Sequence, residues 1–327
     1  MEHFVTGATG LIGTHVVEAL VDDGHDVVAL TRSRSNADHL PEGVTVVEGD
    51  ITEKASLREP MTGVDGVFHI AAWFDVGPGP WGAERAERSN VDGTRNVLEL
   101  MSELNIDKGV YTSTVVVHPG TSGETLDESI EPPCPTWSEY ARTKWQAHLK
   151  IARPMIEEGL PLVVVQPGVV YGPHGGASTS VFRDYLTGDL PIIPTDWALP
   201  FDHAEDIADA HLRAMEDGGL GEEYIVASQA RTMAEVLECA EEITGVQAPR
   251  SVPDAVFATL ATVMRNVERV TRPPEGFESE MLDFLGGRQW YIDNTKATRE
   301  LDVEFRSLED GLRDYLPWEL DQLGMDD

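Results

Sequence analysis

Three things are scarce in this 327-residue chain: cysteine (two), lysine (five) and long apolar runs. Cys134 and Cys239 are too few for a disulfide framework or a thiolate metal cage, and each reads as a small buried hydrophobe. No run of about 18 apolar residues occurs, so no membrane-spanning helix is predicted. Met1 leads straight into an apolar strand pattern, without the basic and apolar stretches of an export signal, which predicts a soluble, cytoplasmic protein.

Positive charge is also short. Against 58 Asp and Glu stand 24 Lys and Arg, a formal net charge of −34. Such a polyanion is repelled by nucleic acid and by anionic membranes, so neither is an expected partner. The acids are spread along the chain, and the lysines are only Lys54, Lys108, Lys144, Lys150 and Lys296. A dispersed acidic, lysine-poor surface suits a salt-rich cytosol, where self-repulsion is screened. A halophilic surface is therefore expected, the alternative being an acidic protein of ordinary habitat.

What is present is alternation. Short β-branched runs at 4–6, 26–30, 45–48, 66–70, 110–113 and 162–166 are separated by helical patterns such as 11–22, closed by Gly24, and 88–104. Alternation of this kind predicts parallel strands joined by right-handed crossovers. Further helices are predicted near 204–216 and 233–244. In 253–270, Val256, Phe257, Leu260, Val263, Met264 and Val267 fall on one helical face, read as core packing or a pocket wall.

The first strand runs into Thr6, Gly7, Ala8, Thr9, Gly10, Leu11, Ile12 and Gly13. Gly7 permits a tight turn, Gly10 lets a pyrophosphate approach the backbone and Gly13 lets the helix pack on the strand. The amides around Thr9, Leu11 and Ile12 then face an anion at a helix N-terminus. The spacing is GxxGxxG, and its position between strand and helix predicts a dinucleotide site. The second strand's tip selects the cofactor, because an acid there suits NAD and basic residues suit the 2′-phosphate of NADP. Residues 27–37 hold no acid but do hold Arg32, Ser33 and Arg34. NADP is expected, with NAD as the alternative. Asp50 and Ile51, after the third strand, are expected to flank the adenine.

Tyr140 and Lys144 lie four residues apart, hence on one helical face, after a capping pattern at 136–139. An ammonium beside a phenol is expected to lower the phenol's pKa and ready it as a proton donor. Ser113 and Thr114 end the fifth strand, on the carboxyl edge where ligands bind.

With these residues the sequence resembles the extended short-chain dehydrogenase/reductase family, also described as the NAD(P)-dependent epimerase/dehydratase family. The ordered blocks are TGATGLIG at 6–13, GDI at 49–51, FHIAA at 68–72, NVDGTRNVLE at 90–99, YTST at 111–114, YARTK at 140–144, QPGVVYGP at 166–173, HAEDIADAH at 203–211 and YIDNTKATREL at 291–301. The resemblance implies an α/β fold, with a Rossmann doubly wound parallel sheet and a smaller C-terminal substrate-binding domain. The first comprises 1–172 with 201–228 returning to it, the second 173–200 and 229–327. It also implies a catalytic set of Thr114, Tyr140 and Lys144, with Ser113 as fallback because serine is commoner at the Thr114 position. Tyr140 would exchange the proton, Lys144 hold the nicotinamide ribose and Thr114 bond the reacting carbonyl. Ala71 and Ala72 would line the cofactor cleft, and Pro167 and Val170 the nicotinamide face. Asn90 and Asp206 are read as structural hydrogen-bonders, and His69 and His203 as packed histidines, with no metal site expected.

For the substrate, Trp73, Phe74 and Trp81 follow the fourth strand and Trp197 lies in a second segment expected at the pocket. Aromatic walls suit a flat or apolar carbonyl compound. Arg231 and Arg250 are the only basic residues from Met215 through Met264, so anchors for a nucleotide-sugar diphosphate are sparse. The dihydroflavonol-reductase and hydroxysteroid-dehydrogenase branch is the nearest resemblance. The expectation is an NAD(P)-dependent oxidoreductase of a small carbonyl or alcohol. The alternatives are a nucleotide-sugar epimerase or dehydratase and a non-catalytic dinucleotide-binding protein. A homodimer through helices near 90–104 and 137–158 is what the family implies.

Overall fold

The computed structural model describes residues 1–74, 82–121, 123–175, 179–273 and 276–325. Seven strands form one parallel sheet: β1 (Glu2–Thr6), β2 (Asp26–Thr31), β3 (Thr45–Glu48), β4 (Gly66–His69), β5 (Lys108–Thr112), β6 (Leu162–Gln166) and, returning late in the chain, β9 (Glu223–Ile225). Their order is β9-β6-β5-β4-β1-β2-β3, with Phe4 opposite both Val28 and Val67. The intervening β7 (Val169–Tyr171) and β8 (Phe201–His203) pair with each other outside this sheet.

The sheet is buried on both faces, which is why its strands read as continuous apolar runs. Successive side chains alternate between two cores. Phe4, Leu30, Val67, Tyr111 and Val164 share one cluster, closed by α2 (Gly93–Leu104) through Val97, Leu98 and Met101. Val5, Ala29, Phe68, Val110 and Val165 share the other. That one is closed by α1 (Leu11–Asp22) and α4 (Ala204–Glu216). This is a doubly wound Rossmann-type α/β sheet, and six of its strands lie within two residues of the ranges read from the sequence.

The helix Glu139–Trp145, here α3, carries Tyr140 and Lys144. It continues through a π-helical stretch, Gln146–Ala152, into Arg153–Glu157. A third cluster holds Trp137, Phe182, Trp197, Trp290 and Tyr315, packed with α5 (Met233–Thr244). Trp197 is buried within this core rather than exposed on a pocket wall, packing edge-on against Phe201 and Phe284. The helix α6 (Asp254–Val267) buries Phe257 and Ala261 but leaves Val256 39% and Val263 51% exposed. Its apolar face is thus only partly covered. Cys134 is exposed and Cys239 half-buried, so neither is the fully buried residue expected. Among the described residues no helix is long and apolar enough to cross a membrane.

Candidate active site

The glycine turn is built as its spacing demands. Gly7 has φ +74°, and a Cβ there would lie 2.7 Å from the Ala71 amide nitrogen. At Gly13 a Cβ would stand 2.0 Å from the Gly7 carbonyl oxygen, so only glycine lets α1 reach the end of β1. Gly10 is the N-cap of α1 and offers no capping side chain, leaving the first-turn amides of Leu11 and Ile12 for an outside acceptor. Thr9 lies within this same turn, half-buried. A cradle that a Cβ would fill, ending in an uncapped twelve-residue helix, fits the pyrophosphate of a dinucleotide.

The other predicted cofactor residues lie at the carboxyl ends of neighbouring strands. Arg32 and Arg34 are exposed past β2, and among the described residues neither side chain has an ion-pair partner, Asp38 included. The Arg34 backbone amide donates to Glu48 Oε1 at 3.2 Å. Past β3, the Thr52 amide donates to Asp50 Oδ1 at 2.8 Å, and Ile51 is buried with its carbonyl accepting from Asn96. Past β4, the Ala71 amide donates to Thr6 Oγ1 at 3.2 Å, while Ala72 is exposed. Past β6, Pro167 accepts from the Val115 amide at 3.0 Å, and Val170 is buried against Ala204 and Ile207.

Tyr140 and Lys144 are both buried, 9% and 2% exposed. Lys144 Nζ donates to the Thr112 carbonyl at 2.7 Å and sits 4.7 Å from the centre of the Tyr111 ring. No carboxylate accompanies it among the described residues, and burial pushes its pKa down to about 7. Burial raises the Tyr140 phenol above its ordinary value, and the neighbouring Thr114 hydroxyl draws it back. The expected lowering of the phenol by the ammonium is therefore not the dominant effect. Lys144 is itself too poorly solvated to hold its full charge near neutrality, and what charge it has is directed at Thr112 and Tyr111.

Ser113 is not the hydroxyl beside the phenol. Its Oγ lies 3.0 Å from His148 Nδ1, both buried, while Thr114 supplies the hydroxyl that bonds Tyr140. Phe74 packs edge-on against Tyr140, ring centres 4.9 Å apart, whereas Trp81 lies outside the described residues. The Trp73 backbone is held at both ends by Asn90, which accepts from its amide at 2.7 Å and donates to its carbonyl at 3.0 Å. Asn90 also donates to Thr143 on α3 at 3.0 Å, tying the aromatic loop to the helix of Tyr140. Asp206 accepts from the Arg306 backbone and guanidinium, and buried His69 bridges Thr6 and Thr94. His203 meets Glu205 and Asp314, with the Arg306 guanidinium paired to both carboxylates. That cluster joins residues about a hundred positions apart, so no local spacing announced it.

The sequence model of the NAD dependent epimerase/dehydratase family matches residues 3–227. The chain belongs to this family. Within the family's wider relations, the chain is 30% identical over 330 residues to a provisionally assigned dihydroflavonol 4-reductase of Synechocystis sp., covering 96% of this chain and 93% of that protein. It is 28% identical over 334 residues to sterol demethylase protein B of Methylococcus capsulatus, covering 97% and 98%. The crystal structure of gox2253 superposes with a TM-score of 0.83 at 26% identity, over 99% of each chain. Membership makes the protein an NAD(P)-dependent oxidoreductase or epimerase/dehydratase.

Proposed function

We propose that the protein is an NADP-dependent reductase or dehydrogenase that interconverts a carbonyl and an alcohol on a small, largely apolar substrate. The observation that carries this reading is the Thr114 hydroxyl beside the Tyr140 phenol, with Lys144 one helical turn away, on the same sheet edge as the glycine turn. In reduction the substrate carbon gains a hydride and its oxygen a proton. Bound dinucleotide supplies the hydride. Tyr140 passes its phenolic proton to the substrate oxygen, and Thr114 holds that oxygen by a hydrogen bond. Lys144 holds the nicotinamide-side ribose, its Nζ anchored on the Thr112 carbonyl, and the Thr114 hydroxyl opposes the upward push that burial exerts on the phenol. Gly7, Gly10 and Gly13 seat the pyrophosphate, Arg32 and Arg34 the 2′-phosphate, Asp50 and Ile51 the adenine, and Ala71, Ala72, Pro167 and Val170 the cleft walls.

Trp73 and Phe74 form the aromatic side of the substrate pocket, Phe74 packing against Tyr140. The names of the two relatives, a dihydroflavonol reductase and a sterol demethylase protein, support a multi-ring substrate. Residues 1–172 and 201–228 form the cofactor domain, and 173–200 with 229–327 the substrate domain. A cytoplasmic homodimer with a salt-adapted surface completes the reading.

The test is NADPH and NADH oxidation against a carbonyl panel that includes a dihydroflavonol and a ketosteroid, in molar KCl. Tyr140→Phe should cut turnover about a hundredfold or more while NADPH affinity stays within about twofold. Undiminished turnover removes Tyr140 as the donor. Tightly held cofactor with no net consumption favours an epimerase instead.

A further inference from the structure

The three groups assigned to the chemistry stand on two elements, Thr114 at the end of β5 and Tyr140 and Lys144 on α3. A buried hydrogen bond joins these elements: Ser113 Oγ to His148 Nδ1 at 3.0 Å. His148 is 1% exposed and follows Lys144 by one turn, within the π-helical stretch Gln146–Ala152. Its other ring nitrogen, Nε2, lies 3.1 Å from Glu223 Oε2 on β9. The Arg153 guanidinium also holds that carboxylate, its Nε 3.0 Å from Oε1 and its Nη2 3.1 Å from Oε2. Burial pushes Glu223 up, but His148 and Arg153 hold it down to about 2, so it is a carboxylate throughout the working pH range. The Ser113 hydroxyl and Nδ1 share a hydrogen bond, while Nε2 faces the Glu223 carboxylate at ion-pair distance without hydrogen-bond geometry among the described residues.

We propose that His148 is a positioning residue of the reaction. Glu223, His148 and Ser113 form a clamp, strand to helix to strand, that fixes the separation between Thr114 and the helix of Tyr140. The Lys144 bond to Thr112 spans the same gap, but Lys144 is assigned to the cofactor, whereas His148 is buried against Ser113, Glu223 and the Tyr111 ring. A π-helical turn costs backbone regularity and recurs at functional sites, and here it lies where the imidazole sits between its two partners. Ser113 thereby serves the clamp, leaving Thr114 to face the phenol.

The proposal rests on the catalytic reading above, so its test has one arm that needs no substrate. Crystal structures of Ser113→Ala and His148→Ala are compared with the parent. The Thr114 hydroxyl should leave hydrogen-bonding reach of the Tyr140 phenol in both. On a carbonyl from the panel, kcat should fall about tenfold in both variants, with KM and NADPH affinity within about twofold. The double variant should lose no more than either single one, because the two residues act as one unit. His148→Gln, long enough to bridge Ser113 and Glu223, should recover at least half of the loss. An unchanged Thr114–Tyr140 contact, additive losses, or equal losses for His148→Gln and His148→Ala would overturn the clamp. Should His148→Ala fail to fold, Ser113→Ala, which removes only one hydroxyl, decides. If Tyr140→Phe keeps its turnover, the catalytic reading falls while the crystallographic arm still judges the clamp.

Discussion

The Arg32 and Arg34 side chains stand exposed past β2 and pair with no carboxylate among the described residues, in a chain with 58 acids. Two guanidiniums left unpaired in such surroundings are available to a dianionic phosphate, which they can bind with paired N–H groups. Arg32→Ala should therefore weaken NADP⁺ binding at least about tenfold more than NAD⁺ binding in calorimetric titrations, and equal weakening would defeat the NADP assignment. Asp202 poses the opposite problem, a carboxyl 2% exposed with Oδ1 accepting from the Ser228 amide and Oδ2 unpartnered among the described residues. Burial raises its pKa to about 7 from an ordinary 3.8. The folded protein binds this proton more tightly than the unfolded chain does, so Asp202's contribution is full below pH 3.8 and is lost as pH rises to 7. Asp202→Asn keeps the bond to Ser228 and should gain about 1–3 kcal/mol at pH 8, with the gain shrinking toward pH 5. Urea melts at the two pH values measure it, and equal gains at both would refute the buried-proton account.

Among elements, the glycine turn shows how far local sequence reaches. Gly10 and Gly13 could be read without coordinates because their close contacts, to Gly7 and Ala8, are met within seven residues of chain, whereas Gly7 also makes room for Ala71 on the neighbouring strand end. The parallel strands could be read for the same reason, each being a β-branched run buried on both faces. The strand Glu223–Ile225 is only three residues long, and its partner Leu162–Gln166 lies some sixty positions earlier, so nothing local marked it. The Ser113–His148–Glu223 clamp was hidden for a related reason, since it exists only once β5, the helix of Tyr140 and β9 meet. Trp197 was misjudged because an aromatic residue in a loop-like stretch looks the same on a pocket wall and in a core. Gly13→Ala tests the turn directly: its Cβ would meet the Gly7 oxygen at 2.0 Å. The substitution should cost about 2–3 kcal/mol in urea melts and weaken NADP⁺ at least about tenfold, and a silent variant would show that α1 need not approach β1 so closely.

For the whole molecule, charge is the dominant quantity. Arginines are spent in networks, Arg306 with Glu205, Asp206 and Asp314, and Arg142 with Glu87 and Glu139. The remaining surplus of −34 repels itself, and salt shortens that repulsion from about 30 Å at 0.01 M to about 3 Å at 1 M. Thermal unfolding should rise by about 10 °C or more between 0.05 M and 2 M KCl, where a neutral protein of this size would shift only slightly. A flat profile would leave the acidic composition without a role in salt adaptation.

The late return of Glu223–Ile225 to the sheet also sets a timetable for biosynthesis. Until that segment clears the ribosome, the strand Leu162–Gln166 has a bare row of amides and carbonyls, and Glu223 is missing from its place beside His148. A nascent chain stalled before residue 223 would thus expose a sticky flank to its neighbours on the polysome, a natural foothold for a holding chaperone.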